Sequence, residues 1–129
     1  YETHRGVGHW TGLLKYDGLF EFFDPYGMFP DRELRWIPAS RRRLLDETEP
    51  YLTELLNRSD RHWVYNKTHY QKMDDHVETC GDHVAHRIYR LRHNDMDLKD
   101  YAEYMEHVRE EFHASYDVIV AEFVETFDI

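Results

Sequence analysis

Apolar and polar positions follow two different periods along this chain, and the change between them divides it. In residues 8–16 and 19–24, aromatic and apolar side chains crowd into two short runs, Gly-His-Trp-Thr-Gly-Leu-Leu-Lys-Tyr and Leu-Phe-Glu-Phe-Phe-Asp, which read as strands. Asp17-Gly18 between them is a strong signal for a two-residue hairpin turn, because both residue types tolerate positive φ. Such a turn sets Tyr16 opposite Leu19, Thr11 opposite Asp24 and His9 opposite Tyr26. Side chains at 9, 11, 13 and 15 then share a face with those at 20, 22, 24 and 26. His9 and Asp24 are expected as diagonal neighbours on that face, about 7–8 Å apart at the backbone.

Pro25-Tyr26-Gly27 and Phe29-Pro30-Asp31 read as turn and loop, and Trp36-Ile37 as a strand fragment or an apolar anchor. Beyond them the period lengthens. Leu44-Leu45, then Tyr51, Leu52, Leu55 and Leu56 recur at helical spacing, with Pro50 where a first turn tolerates it and residues 57–60 as the end. Residues 62–66 form a third strand candidate, followed by a polar loop up to Glu78. Thr79 is expected to cap the next helix, Asp82 to complete a Thr-x-x-Asp capping box, and Val84, Ile88 and Leu91 to face the core. Asn94-Asp95-Met96-Asp97 interrupts that pattern and caps a helix bearing Leu98, Tyr101, Met105, Val108 and Phe112. A last helix bears Tyr116, Ile119, Val120, Phe123, Val124 and Phe127, and both stripes read as ordinary core faces. A hairpin-led, small mixed sheet packed against helices is an α+β domain.

Composition narrows the functions that fit. The 129 residues suffice for one domain with its own core, and 10 Tyr, 7 Phe and 3 Trp argue against disorder. The chain opens on Tyr1, as a processed product or a piece of a longer protein would. A net charge of −10 argues against general nucleic-acid binding, which needs a basic face. The exception is local: Arg32, Arg35 and Arg41-Arg42-Arg43 concentrate positive charge, although a solvated, ion-paired surface is the more common reason for such a cluster. No apolar run reaches the length of a membrane span, and no secretory signal opens the chain. A single cysteine precludes an internal disulfide and suits a reducing compartment.

That cysteine, Cys80, is expected at or beside a helix N-terminus, where unpaired amides and the helix dipole favour a thiolate. Gly81 beside it leaves room for a substrate backbone. A lone cysteine is more often inert packing, and a His–Asp couple is often only a polar pair at a hairpin's open end. Taken together, however, His9 could accept the Cys80 proton, with Asp24 fixing its tautomer. Gln71 could offer an amide to a developing oxyanion beside the Cys80 N–H, though it also reads as a plain loop residue.

These residues resemble a known group. Gly-His-Trp-Thr on a strand, Phe-Phe-Asp-Pro-Tyr-Gly on the next, a Gln ahead of the Cys, and Thr-Cys-Gly-Asp-His opening a helix are similar to motifs of the adenain/SUMO-protease clan. That clan comprises papain-like cysteine peptidases: viral maturation proteases and eukaryotic SUMO and related deconjugating enzymes. The resemblance spans residues 8 to about 91. It implies His9 as general base, Asp24 as its orienter, Gln71 as oxyanion donor and Cys80 as nucleophile, with Trp10 packed beside the site. It implies neither metal nor cofactor. Two departures stand out: Gln71 precedes Cys80 by nine positions (80 − 71), a long interval for the clan, and little chain precedes His9. An activating partner or a further segment could therefore be needed to complete the cleft.

The expected partner is a protein: a viral structural polyprotein or, alternatively, a ubiquitin-like conjugate. No membrane is implied, and nucleic acid only as a local contact at Arg41, Arg42 and Arg43. The expected setting is a virion or the host cytoplasm or nucleus. Gly81 beneath bulky Trp10, Tyr26 and Phe29 suggests a narrow slot and hence cleavage after a small residue, most of all Gly. Two other classes compete. Cys80, His83 and His86, with His69, His76 and His93 nearby, could form a zinc module, but Cys80 and His86 diverge by about 120° around a helix. The chain could also be a protease-like binding domain without catalysis.

Overall fold

The computed structural model describes residues 1–4 and 7–127. Asp17 and Gly18 both adopt positive φ (48° and 73°), the geometry whose twist matches that of two adjoining strands. They join β3 (Gly12–Tyr16) to β4 (Leu19–Phe23) in the expected register, from Tyr16 opposite Leu19 to Gly12 opposite Phe23. The first strand run is shorter than its composition suggests. β1 (Glu2–His4) and β2 (Val7–Gly8) form a separate antiparallel pair, and His9 to Thr11 lie between β2 and β3. β5 (Trp63–Tyr65) lies parallel to β4, so the main sheet is mixed, in the order β3-β4-β5.

The crossover from β4 to β5 carries a 3-10 turn (Arg32–Arg35), α1 (Ala39–Leu44) and α2 (Tyr51–Arg58). Ile37 is 2% exposed while Trp36 points outward, which makes the pair an anchor rather than a strand. Arg41 of the basic run bonds Glu2 at 2.8 Å. α3 (Cys80–Asn94), α4 (Leu98–Phe112) and α5 (Tyr116–Glu125) complete the α+β domain. Asp97 caps α4 in a reciprocal capping box with Asp100, and Ser115 caps α5 through the Val118 N–H. No helix among the described residues is long and apolar enough to cross a membrane.

The core is small and aromatic. Leu14, Phe23, Tyr70, Tyr101, Met105 and Val120 are buried together, with Phe23 edge-on to Tyr101 at 5.9 Å and Tyr70 edge-on to the same ring at 5.5 Å.

α3 keeps part of its expected burial, with Val84 and Leu91 packed against the core. Ile88 is exposed, and the buried face is His83, His86 and Arg87. Each buried polar group meets a partner that its position dictates. Arg87 grips Glu21 of β4 through two bonds (Nε to Oε2, 2.9 Å; Nη2 to Oε1, 2.7 Å), donates to Met96 O, and lies over the Tyr101 ring. Tyr16 Oη donates to Glu21 Oε1 at 2.6 Å, so the carboxylate is surrounded by donors. His86 Nδ1 meets Tyr101 Oη at 2.8 Å. Burial, and then the nearby Arg90, push its pKa down to about 3, which keeps the ring neutral.

Because both ions of the Glu21–Arg87 pair are fully buried, removing one strands the other. Arg87→Met or Glu21→Gln alone should cost about 3–5 kcal/mol in denaturant unfolding. The double replacement Glu21→Met/Arg87→Met should recover most of that loss. Near-additive single losses would show that the two side chains do not act as a pair.

Candidate active site

Asp24 follows β4 directly and begins the turn Asp24-Pro25-Tyr26-Gly27, closed by Gly27 N–H to Asp24 O at 2.7 Å. Gly27 has φ +75°, and a Cβ there would run into the Thr68 carbonyl, so the turn packs against the chain leaving β5 only because no side chain intervenes. The Asp24 side chain folds back so that Oδ1 accepts the Tyr26 N–H at 2.8 Å, an Asx-type turn. Asn66, just past β5, clamps the Asp24 main chain in both directions: Asp24 N–H donates to Asn66 Oδ1 (2.9 Å) and Asn66 Nδ2 donates to Asp24 O (2.6 Å). The acid is therefore held by main chain, turn and neighbouring strand together.

His9 is held from the other side. Its N–H donates to Tyr1 O, and its carbonyl accepts from Tyr1 N, both at 2.9 Å. His9 Nε2 lies 2.7 Å from Asp24 Oδ1, and both residues are buried. A carboxylate only accepts, so Nε2 carries the proton and Nδ1 is left for the thiol. The Tyr26 ring stacks on the imidazole at 4.1 Å and 6°, which limits its rotation, and Tyr1 lies tilted at 5.4 Å.

Cys80 is the first residue of α3, half-buried and free. Burial would push its thiol up, but hydrogen bonding to His9 and to the backbone N–H groups of Trp10 and Gly81 outweighs that and holds it below the ordinary range. Burial likewise opposes charge on His9, yet the Asp24 bond and the Cys80 contact raise its pKa overall. Both directions favour a thiolate–imidazolium pair. Cys80, His9 and Asp24 thus stand in sequence, with the His9–Asp24 bond at one end and the thiol that His9 holds below its ordinary range at the other.

Gln71 is buried, and its N–H bonds Pro25 O, one residue from Asp24. Its Nε2 donates to Val77 O at 3.0 Å, so one amide hydrogen closes the loop that leads to Cys80. Its Oε1 has no partner among the described residues. Trp10 is 70% exposed, and its ring edge (Cδ1) would lie 3.8 Å from a Cβ on Gly81. Phe29 is not a wall of this site: its ring packs on Trp63 and Tyr65 at 5.4 and 5.2 Å.

The expected capping box at Thr79 does not form. Thr79 occupies the N-cap position, but its hydroxyl makes no cap bond and instead donates to Asp117 Oδ1 at 2.6 Å. The zinc arrangement does not form either, since His83 and His86 meet Asp117 and Tyr101. Among the described residues, no three His, Cys, Asp or Glu converge to hold a metal. Asn66 and Asp117 are the site residues that sequence reasoning missed. Asn66 ended a strand candidate, and Asp117 lay inside a helical stripe; nothing local marked either.

If the line from Cys80 to Asp24 acts as its geometry suggests, iodoacetamide should alkylate Cys80 with a midpoint well below about pH 8.5. The sign follows from the two shifts: a lowered thiol and a raised imidazole both move the couple toward the ion pair. His9→Ala removes the cation, so the midpoint should rise, and labelling at pH 6.5 should slow about tenfold or more. Matching profiles for the two proteins would break the assigned pairing.

No protein-family pattern matches the chain, and no solved structure matches it. It is 33% identical over 107 residues to the uncharacterized protein V9 of Sputnik virophage, a match that covers 82% of this chain. The matched region spans 59% of the length of that relative.

Proposed function

We propose that this chain is a cysteine endopeptidase of the adenain-like type, with a papain-like catalytic arrangement, acting in viral protein maturation. The observation that carries the proposal is the buried His9–Asp24 bond beside a free Cys80 at the start of α3, whose thiol His9 holds below its ordinary range, with the three residues drawn from separate segments. The similarity to a virophage protein supports the viral setting, in a virion or an infected cell.

The chemistry runs as follows. The Cys80 thiolate attacks the scissile carbonyl, forming an Sγ–C bond and an oxyanion. The Cys80 N–H, at the open end of α3, and the second amide hydrogen of Gln71 are the proposed donors to that oxygen. As the C–N bond breaks, the His9 imidazolium gives its Nδ1 proton to the leaving amine, which leaves a thioester. His9 then takes a proton from water, the resulting hydroxide displaces sulfur, and the thiolate and imidazolium are restored. Asp24 keeps Nε2 protonated throughout, so Nδ1 remains the working nitrogen.

Trp10 over Gly81 supports a narrow slot for the residue before the scissile bond, with Tyr26 held back against His9. An unbiased peptide library should show cleavage after small residues, Gly foremost, and Gly→Val in the substrate should abolish kcat/KM. Labelling by a ubiquitin-like probe without peptide cleavage would move the assignment to a deconjugating enzyme. Failure to label Cys80 with any peptidyl electrophile would remove the catalytic reading.

Gln71 has two separable duties. As an oxyanion donor its loss is felt in the transition state, so Gln71→Ala should lower kcat by about 10²–10³ with little change in KM. If its duty is only to close the 71–77 loop, thermal stability and KM will change and kcat will not.

A further inference from the structure

Asp117, in the first turn of α5, gathers the chain on both sides of Cys80. Its Oδ2 accepts the N–H of Lys72, the residue after Gln71, at 3.0 Å. Its Oδ1 accepts the Thr79 hydroxyl, one residue before Cys80, at 2.6 Å. The same oxygen accepts His83 Nε2–H, one turn after Cys80, at 2.9 Å. One carboxylate thus spans the loop that delivers the cysteine and the turn that holds it.

Two local preferences are given up for these bonds. His83 is fully buried, yet its Nδ1 has no partner among the described residues, a costly arrangement unless the Nε2 bond matters. Thr79 sits at the N-cap but does not cap, although a threonine there ordinarily accepts an N–H from the second or third helical residue. The second helical residue is Gly81, whose N–H lies at the uncapped end of α3 and is among the groups that hold the Cys80 thiol below its ordinary range. A hydroxyl directed at Asp117 leaves that N–H to the sulfur.

We infer that Asp117 is a positioning residue of the active site: it draws the Thr79 hydroxyl away from the helix end, leaving the Gly81 N–H to serve the Cys80 thiolate. The inference rests on reading Cys80 as the nucleophile. It predicts an effect opposite in sign to simple electrostatics. His9, Tyr1 and Tyr26 feel the thiol directly, and Asp24, Asp75, Asp82 and Asp117 act on these rings or on His83. Deleting one of the carboxylates would, by charge alone, make a thiolate easier to form. Released from Asp117, however, Thr79 can turn back to cap α3 and compete for the N–H that holds the sulfur.

The test is the pH profile of Cys80 alkylation in the otherwise intact chain. Asp117→Ala should raise the midpoint and slow labelling at pH 6.5 about tenfold. Asp117→Ala/Thr79→Val, which has no hydroxyl to recap the helix, should bring the profile back toward wild type. A merely structural Asp117 predicts no such rescue. If Asp117→Ala does not fold, Asp117→Asn, which keeps the shape but lacks one acceptor oxygen, carries the same comparison with a smaller shift. An ordinary wild-type thiol profile overturns the peptidase reading and this inference with it. A low wild-type midpoint that the Asp117 variant leaves unchanged or lowers, or a double variant no better than the single, overturns this inference alone.

Discussion

The ion pair between Glu21 and Arg87 fixes where the helix that carries Cys80 can lie. Both groups are wholly out of solvent, so neither can relax to water if the other moves, and the two-bond grip tolerates little sliding. Arg87 stands seven residues after Cys80 (87 − 80), about 10 Å along the helix axis. Fixing α3 against β4 at that point sets the height and rotation of its N-terminus over the sheet. The Arg87 guanidinium also covers the Tyr101 ring at 4.9 Å, which ties α4 to the same junction.

From that junction the site is assembled by short polar links rather than by apolar packing. Asn66 extends the pairing of β4 and β5 by one step through a side chain, so Asp24 behaves as part of the sheet although it lies past the end of the strand. Pro25 O receives both the Tyr70 and Gln71 N–H groups, and Gln71 closes onto Val77. Asp24 and Gln71 thus lie along one run of hydrogen bonds that ends at Val77, three residues before Cys80, and whose side chains are buried and therefore costly to leave unpaired. That cost favours a single geometry over an ensemble.

The hairpin was the most legible part of the sequence. Asp17-Gly18 dictated a turn and the turn a register, which runs only from Tyr16 to Gly12; the expected pairs Thr11–Asp24 and His9–Tyr26 lie beyond the ladder, although His9 and Asp24 do meet. Element order from the hairpin onward and the start of α3 were equally readable, because the period of the apolar residues changes from about two to about 3.6, whereas the β1–β2 pair was not. The buried face of α3 was readable only in part: Val84 and Leu91 do pack against the core. Apolar spacing pointed to Ile88, whereas burial falls on His83, His86 and Arg87, whose partners are 66 positions away at Glu21 and 34 at Asp117. Long-range polar pairing leaves no periodic trace, since each partner looks locally like any charged residue. Asn66 and the uncapped Thr79 were hidden for the same reason.

Two imidazole–carboxylate couples stand in this one site, and they answer burial differently. At His9 the carboxylate bond is joined by a thiol on the remaining nitrogen, and the ring is held more basic than usual despite burial. At His83 the carboxylate bond is of similar length, but burial prevails and the ring is held less basic. An adjacent acid is therefore not sufficient to make a base in this fold. What distinguishes the two rings is that His9 has the Cys80 thiol as a second neighbour, whereas the second nitrogen of His83 has no partner among the described residues.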